Sequence, residues 1–160
     1  MANRRAQIRM TDDELGTFLD EQTKVQVATI GKDGTPHLST LFYAMHDGHL
    51  AFWTYGSSQK VVNLRRDPRM TCLVEGGQAY DELRGATLYG TGRIVADLDE
   101  VLRVGGKVAA RMTGRPAEEF DPDADAGVRA GLERTGRKRV AVFLDITRAV
   151  TWDHAKMTAG

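Results

Sequence analysis

The spacing of apolar and polar residues changes several times along the chain, and each change predicts a new element. Thr11 and Glu14 form a capping-box pattern, and the apolar residues after them recur at helical spacing, so a short amphipathic helix is predicted to end near Asp20. From residue 24 the apolar residues alternate with polar ones, which is typical of a half-buried strand. The glycines within residues 31–34 then favour a tight hairpin turn.

Apolar runs of strand length recur along the rest of the chain, and they bring the number of predicted strands to six. The predicted strands cover residues 24–29, 35–45, 50–55, 70–75, 86–95 and 139–152. Asp47 and Gly48 form a second hairpin signal, so the first three strands are predicted to form an antiparallel meander. Gly90 and Gly92 lie inside the fifth strand, where they predict a bulge or a sharp bend.

Helical segments separate the later strands. The residues from Ser57 onward predict a helix that ends at an Asp-Pro pair, because proline disfavours helical geometry in the residue before it. Asp97 and Glu100 form another capping pattern and open a longer helix, in which the Gly-Gly pair in the middle predicts a kink or a break. Residues 98–135 are therefore expected to form a helical cover over one side or opening of a small antiparallel barrel.

Composition limits the classes of protein that the chain represents. Its 160 residues, 41% hydrophobic and 28% charged, fit one globular domain over residues 1–160, with residues 1–22 as an N-terminal lead and helix. The 22 Lys and Arg residues balance 22 Asp and Glu residues, so no electrostatic signal favours a nucleic-acid partner. No apolar run is long enough for a membrane span. The single cysteine, Cys72, excludes an internal disulfide, and a reducing cytoplasm is the simplest compartment.

The junction between the third strand and the next helix carries the clearest chemical signal. Gly56, Ser57, Ser58 and Lys60 place a flexible backbone, two hydroxyls and an ammonium group at a helix N-terminus. The first amides of a helix lack intrahelical acceptors and the helix dipole is positive there, so a phosphate can bind to them. The alternative is an ordinary N-cap at Ser57, with Lys60 in solvent. The spacing alone leaves both interpretations open.

Two further groups of residues carry weaker signals. Ser39 and Thr40 are expected to face Trp53 and Thr54 across a hairpin, where they would line a wall for a ring system. Packing in the core explains these four residues equally well. The arginines at positions 65, 66 and 69 form a basic patch that fits either an anionic tail or a solvated face.

The sequence contains no complete metal site or catalytic dyad. His46 and His49 flank a turn at metal-like spacing, but no third ligand is near in sequence, so a solvated turn without a metal is expected. His37 and His154 are isolated, and Cys72 is expected to be an inert buried thiol. Any difficult chemistry is therefore expected to come from a cofactor.

Three segments occur in a characteristic order: residues 27–40, residues 50–55 and residues 58–69, the last with the pattern Lys-x-x-Asn-Leu-x-x-Asp-Pro. This order resembles the pyridoxamine 5′-phosphate oxidase-like superfamily, and most closely its flavin/deazaflavin branch that uses coenzyme F420. The resemblance extends over residues 23–152. It implies a mainly β (α+β) fold, a six-stranded antiparallel split β-barrel of the FMN-binding type with short peripheral helices. It also implies a homodimer with two cofactor sites at its interface.

The resemblance further implies which residues bind the cofactor. The residues beside the ring would be Ser39, Thr40 and Leu41. The residues that hold the ribityl chain and phosphate would be Thr54, Tyr55, Ser57, Ser58, Lys60 and Asn63. The residues of a loop from the partner subunit would be Gln78, Tyr80 and Arg84. Trp152 is expected on the substrate side, and no catalytic residue is assigned, since solvent or Tyr80 would supply a proton.

The chain also departs from the founding oxidase of that superfamily. Its phosphate-binding arginines are fewer and the C-terminal Arg-x-His motif is missing, so pyridoxamine phosphate oxidation is not expected. The predicted function is a cytoplasmic, dimeric oxidoreductase in which F420 transfers a hydride to an electron-poor conjugated small molecule. The basic patch favours F420, because that coenzyme carries an anionic polyglutamate tail. The alternatives are an FMN-dependent oxidoreductase, a non-catalytic cofactor carrier and a barrel without a cofactor.

Overall fold

All the strands of the described chain join one antiparallel sheet, and the helices pack around it. The computed structural model describes residues 3–157, so residues 1–2 of the predicted lead and residues 158–160 lie outside the described part. The strands are β1 Lys24–Ile30, β2 Pro36–Phe42, β3 Ala44–His46, β4 His49–Tyr55, β5 Arg69–Gly76, β6 Arg84–Val95 and β7 Arg139–Asp153. The α-helices are α1 Arg4–Gln7, α2 Asp12–Glu21, α3 Gln59–Arg66, α4 Leu98–Thr113 and α5 Ala126–Gly136. Short 3₁₀ turns cover Tyr80–Glu82, Ala117–Phe120 and His154–Met157. None of the described helices is long and apolar enough to cross a membrane.

The sheet closes on itself through a single residue. Its strand order is β2-β1-β5-β6-β7-β4-β3, so β2 and β3 occupy opposite edges, yet only Tyr43 separates them in sequence. Consecutive Cα atoms are about 3.8 Å apart, so two edges joined by one residue must lie close together, and the sheet curls into a split barrel. Tyr43 fixes this bend, because its N–H donates to the Thr23 carbonyl at 3.0 Å and its hydroxyl donates to the Leu19 carbonyl at 2.6 Å. The predicted antiparallel barrel is confirmed.

One detail of the predicted sheet is wrong. The second predicted strand, residues 35–45, breaks at Tyr43 into β2 and β3, so the described sheet has seven strands rather than six. The antiparallel pairing predicted for the first three strands is present on either side of the break, since β2 pairs with β1 and β3 pairs with β4. The break buries the Tyr43 side chain completely. Local turn signals do not reveal the break, because it depends on the pairing of β4 with β7, which is distant in sequence.

The barrel interior forms the main core. Alternate residues of the strands point into it, and Val25, Val27, Phe52, Leu88 and Val142 have no exposed surface. Helix α2 adds buried side chains to this core, and it begins with the predicted capping box. A smaller cluster on the other face of the sheet packs α4 against β3, β4 and β7. The helical cover predicted over residues 98–135 therefore lies on that outer face.

The bulge predicted in the fifth strand is present in β6. The register between β6 and β7 shifts between Tyr89 and Gly90. A Cβ atom on Gly90 would lie 2.0 Å from the Asp145 carbonyl oxygen, so only glycine allows β7 to approach this closely. The bulge separates the half of β7 that pairs with β4 from the half that extends beyond it.

Helix α4 is continuous through its Gly-Gly pair, so the break expected there as one of two outcomes is absent. A Cβ on Gly105 would lie 2.5 Å from the Trp53 ring, and a Cβ on Gly106 would lie 2.2 Å from the Phe120 carbonyl oxygen. The two glycines therefore let a ring and a backbone segment pack against the helix. The helix ends where Gly114 adopts a left-handed conformation with φ of 68°, as its position before the Arg-Pro pair predicts.

Replacement of Gly106 with alanine is expected to destabilise the protein by about 1–3 kcal/mol, because the new methyl group overlaps a backbone oxygen that cannot move freely. The matched control is Gly16→Ala in helix α2, where a Cβ meets nothing within 4 Å. That variant is expected to gain about 0.5–1 kcal/mol, since alanine is the better helix former. Urea unfolding measures both changes. The same sign for the two variants would contradict this explanation.

Candidate functional site

The chain turns from strand β4 into helix α3 within four residues, at what we call the β4–α3 corner (residues 54–60). Strand β7 holds this corner, because Tyr55 pairs with Arg139 and the N–H of Gly56 donates to the Lys138 carbonyl at 3.0 Å. The N–H of Ser58 then donates to the Tyr55 carbonyl at 3.0 Å, which closes a turn. The start of α3 is therefore fixed by the sheet.

The first turn of α3 lacks a side-chain cap. The N-cap residue is Ser58, not Ser57, and no side chain accepts a hydrogen bond from the first amides of the helix. No acidic residue lies in this turn. The hydroxyl of Ser58 is instead 3.5 Å from Thr54 Oγ1. The alternative interpretation, an ordinary N-cap at Ser57, is wrong, and the amides at the start of α3 remain available to an anion.

Lys60 places a poorly solvated positive charge beside these amides. Its ammonium donates to Thr54 Oγ1 at 3.4 Å, and burial lowers the pKa of Lys60 below its usual value. In the part of the chain between residues 3 and 157, no carboxylate forms an ion pair with Lys60. A half-buried cation without an anionic partner carries a desolvation cost, and a bound anion would offset that cost.

Two arginines contribute further positive charge near this corner. Arg65 Nη1 donates to the Gly56 carbonyl at 3.1 Å. The Arg139 guanidinium lies 4.3 Å from the centre of the Tyr55 ring and 4.6 Å from the Trp53 ring, and its Nε is buried without a hydrogen-bond partner. Sequence reasoning missed Arg139, because only the β4–β7 register places it opposite Tyr55.

The predicted wall across a hairpin is not formed. Ser39 lies opposite Val27 in β1, whereas Trp53 lies opposite Ala141 in β7. Trp53 faces the outer helices rather than a pocket for a ring, since its ring packs against Gly105 at the middle of α4. Thr54, the next residue, points to the opposite face of the strand and is buried.

Strand β2 carries two buried polar atoms that lack partners. The Ser39 hydroxyl and His37 Nδ1 have no hydrogen bond, and the two residues lie on the same face of the strand. Leu41, on the same face, is half-buried, while Thr40 is exposed on the other. Buried polar atoms in proteins almost always have a partner. The unpaired Ser39 hydroxyl therefore fits a polar group of a bound molecule.

Asn63 has a different position from the one predicted. Its side chain has no exposed surface, donates to Thr29 Oγ1 at 3.1 Å and accepts from Gln59 Nε2 at 2.8 Å. These bonds attach helix α3 to strand β1. Asn63 therefore stabilises the start of α3 through buried hydrogen bonds. Its side chain does not face the surface where a cofactor would bind.

The predicted partner-reaching loop lies against the C-terminal turn of its own chain. Gln78 and Tyr80 are exposed, and the Tyr80 ring packs 4.7 Å from the His154 ring. His154 Nδ1 also lies 2.8 Å from the Tyr80 carbonyl oxygen. Arg84 at the end of the loop pairs with Glu21 at 2.9 Å. Tyr80 is nevertheless 72% exposed, so most of its surface faces solvent.

Part of the predicted basic patch is already neutralised. Arg69 pairs with Asp67 at 2.7 Å, and this hydrogen bond lowers the pKa of Asp67 to about 2. Arg66 donates to the Ile30 carbonyl and to Asn63. Arg66 therefore attaches the end of α3 to the end of β1, and Arg69 adds little net charge.

The expectation of a solvated turn at His46 is wrong. His46 is only 5% exposed, and its Nε2 lies 3.1 Å from Glu100 Oε2 and 3.5 Å from Asp47 Oδ2. Helix α4 supplies Glu100, whose other oxygen accepts from Arg103 at 2.8 Å. We interpret this hydrogen-bonded network as a link between the β3–β4 hairpin and α4. The sequence alone does not identify Glu100 as a partner of His46, because the two residues are distant along the chain.

Comparison with known proteins shows which sequence family and which solved structures this chain resembles. The sequence profile for pyridoxamine 5′-phosphate oxidase matches residues 11–138. The conserved hypothetical protein Rv2991 from Mycobacterium tuberculosis has 38% identity and a TM-score of 0.85, over 97% of this chain and 92% of that one. An F420 reductase has 22% identity and a TM-score of 0.61, over 83% of this chain and 93% of that one. The heme storage protein HutZ from Vibrio cholerae has 16% identity and a TM-score of 0.63, over 90% of this chain and 97% of that one. No curated protein matches the chain.

Cys72 is expected to be unreactive in the folded protein. It has no exposed surface, and burial raises its pKa to about 12, so the thiolate is scarce at pH 8. Ellman's reagent at that pH should label no thiol in the native protein and one thiol per chain in denaturant. Rapid labelling of the native protein would show that the barrel opens at β5.

Proposed function

Because the chain belongs to the pyridoxamine 5′-phosphate oxidase family, we propose that it is an oxidoreductase that binds coenzyme F420 at the β4–α3 corner. The coenzyme would exchange a hydride with an electron-poor conjugated small molecule. The F420 reductase of similar fold is a reason to name this coenzyme first. Its low identity to this chain means that the proposal must rest on the site itself.

This proposal rests mainly on the positive charge of Lys60 at the β4–α3 corner. Lys60 is half-buried and has only the Thr54 hydroxyl as a hydrogen-bond partner among the described residues. It stands beside helix amides that no side chain caps. A phosphate group would accept hydrogen bonds from both and would neutralise the ammonium. The residues present therefore fit a phosphate-bearing coenzyme.

The proposed contacts divide between the phosphate and the ring. The hydroxyls of Ser57 and Ser58 and the ammonium of Lys60 would hold the phosphate, with Thr54 and Tyr55 beside the ribityl chain. The residues proposed beside the ring are Ser39, Thr40 and Leu41. The unpaired Ser39 hydroxyl supports this assignment, because a polar atom of the ring would supply its missing partner.

The protein's own residues would act mainly through position. The bound coenzyme would supply the hydride carrier. The β4–α3 corner would anchor its phosphate, and strand β2 would hold its ring in line with the substrate and exclude water. Cys72 is too deeply buried to take part, and His46 is already paired with Glu100. A proton would come from solvent or from Tyr80, which is exposed.

A homodimer would complete the proposed site. Exposed apolar side chains lie on the two elements that carry the proposed contacts, since Leu38 on β2 is 68% exposed and Val62 on α3 is 43% exposed. Apolar surface of this kind is typical of contacts between subunits. The loop that contains Gln78, Tyr80 and Arg84 would then reach the cofactor of the second subunit. We propose a cytoplasmic location, which fits a chain with one buried, reduced cysteine.

FMN is the second candidate coenzyme, and one observation favours it. The basic patch was the reason to expect the anionic tail of F420, yet Asp67 neutralises Arg69 and Arg66 is bound to the Ile30 carbonyl. FMN has the phosphate without the tail, so it requires only the corner. A non-catalytic cofactor carrier is a further alternative, and the similar fold of the heme storage protein is compatible with it.

Replacement of Lys60 with alanine is expected to weaken coenzyme binding by about 1.5–3 kcal/mol, the usual value for a hydrogen bond to a charged group. The control is Lys32→Ala, which removes an exposed lysine from the β1–β2 turn and should leave the dissociation constant unchanged. Fluorescence titration measures both. An unchanged constant for the Lys60 variant would remove this lysine from the phosphate site.

Side-by-side titration of the purified protein with F420 and with FMN distinguishes the two coenzymes. We expect saturable quenching of F420 fluorescence with a lower dissociation constant than for FMN. Tighter binding of FMN, or a yellow protein on purification, would establish the second candidate instead. If neither coenzyme binds, the cofactor proposal fails. Binding without turnover of enones, quinones or tetrapyrroles would favour the carrier.

A further inference from the structure

A large cavity lies between the N-terminal segment and the end of strand β7, outside the proposed coenzyme site. Its volume is about 910 Å³, and we call it the N-terminal cavity. The segment is held against the strand, because the Asp153 N–H donates to the Ile8 carbonyl at 2.7 Å and the Met10 N–H donates to Thr151 Oγ1 at 3.0 Å. The cavity therefore has two walls that the chain itself fixes in place.

The walls of the cavity are apolar and positively charged. Ile8, Val150 and Trp152 provide apolar surface, and Arg5, Arg9 and Arg148 provide guanidinium groups. No lining residue within the described chain carries a carboxylate. The nearby Asp153 carboxylate is occupied elsewhere, since it accepts a hydrogen bond from the Ala155 N–H. A ligand in this space would therefore meet positive charge without a competing negative group.

The cavity arginines differ from the arginines of the described chain that form ion pairs. Most other arginines form ion pairs with carboxylates, for example Arg84 with Glu21 and Arg103 with Asp123. Within residues 3–157, none of the three cavity arginines takes part in an ion pair, and the Arg148 guanidinium stacks on the Tyr89 ring at 4.1 Å. Three unpaired cations in one concave site of a chain with zero net charge create a local positive potential.

We infer that the N-terminal cavity binds a small organic anion with an apolar, preferably aromatic, body. The body would pack against Val150 and Trp152, and a carboxylate, sulfonate or phosphate group would pair with Arg9 and Arg148. The volume lies within the range of about 300–1,000 Å³ that small-molecule sites occupy. No residue of the β4–α3 corner lines this cavity, so the inference does not depend on the identity of the coenzyme. Trp152, which the family resemblance places on the substrate side, is one of the lining residues.

Two naphthalene probes with the same ring skeleton test the inference. Anilinonaphthalene sulfonate carries an anionic group, and N-phenylnaphthylamine lacks it. The full-length protein should bind the sulfonate with saturable fluorescence, with a dissociation constant at least tenfold lower than for the neutral probe. This difference should shrink at high salt, because screening weakens the arginine contribution. Equal affinity for both probes, or no saturable binding, would overturn the inference.

Substitutions locate the bound probe. Arg9→Gln, and Arg9→Gln combined with Arg148→Gln, should weaken binding of the sulfonate about tenfold or more while binding of the neutral probe stays unchanged. Arg134→Gln on helix α5 is the matched control and should have no effect. Lys60→Ala should also leave probe binding unchanged, which separates this test from that of the coenzyme site. Circular dichroism checks that each variant is folded, and the single Arg9 variant, which leaves the Arg148 stack intact, keeps the test valid if the double variant unfolds.

Sedimentation velocity tests whether a second copy of this chain, rather than a small anion, occupies the N-terminal cavity. If the arginine variants change the oligomeric state and the wild-type protein fails to bind the sulfonate, the cavity is a subunit contact and the inference is wrong. An unchanged sedimentation coefficient together with the loss of probe binding would support an anion site.

Discussion

Closure of the sheet at Tyr43 is the constraint on which the rest of the structure depends. Strands β2 and β3 lie at opposite ends of the strand order, and the buried Tyr43 residue joins them. Its hydroxyl donates to the Leu19 carbonyl, and burial raises the pKa of Tyr43, so the group remains a donor at any physiological pH. The Arg111 guanidinium lies 5.2 Å from the Tyr43 ring and also donates to the Gln22 carbonyl. Helices α2 and α4 and both sheet edges therefore meet at one residue.

The closed barrel determines where positively charged side chains can lie without an anionic partner. Strand β7 holds the end of β4, which fixes where α3 begins. The first amides of α3 have no side-chain cap. Lys60 is then partly desolvated beside those amides. The N-terminal cavity shows the same principle on another surface, where three arginines lack carboxylate partners. Other arginines of the described chain pair with carboxylates, such as Arg84 with Glu21 and Arg103 with Asp123. Unpaired cations that are half-buried, or that are gathered in one concave site, are suited to receive an anion.

Features that depend on neighbouring residues are predicted correctly from the sequence. Features that depend on contacts between distant segments are not. The capping box of α2, the end of α4 at Gly114 and the β6 bulge follow from local chemistry, and all three are present. The break at Tyr43 and the partners of His46 depend on contacts across the fold, which single-sequence patterns do not contain. The family resemblance correctly anticipated the barrel. It did not anticipate that Asn63 lies on the buried face of α3, bonded to Thr29 of β1, because a motif match does not show which way a side chain points.

The crystal structure of the protein with its bound coenzyme tests the central claim most directly. The account predicts density for a phosphate at the first turn of α3, with an oxygen about 2.7–3.2 Å from Lys60 Nζ and from the free helix amides. It also predicts a polar ring atom within hydrogen-bond distance of the Ser39 hydroxyl. A coenzyme bound at another surface, with only water at the β4–α3 corner, would contradict the account.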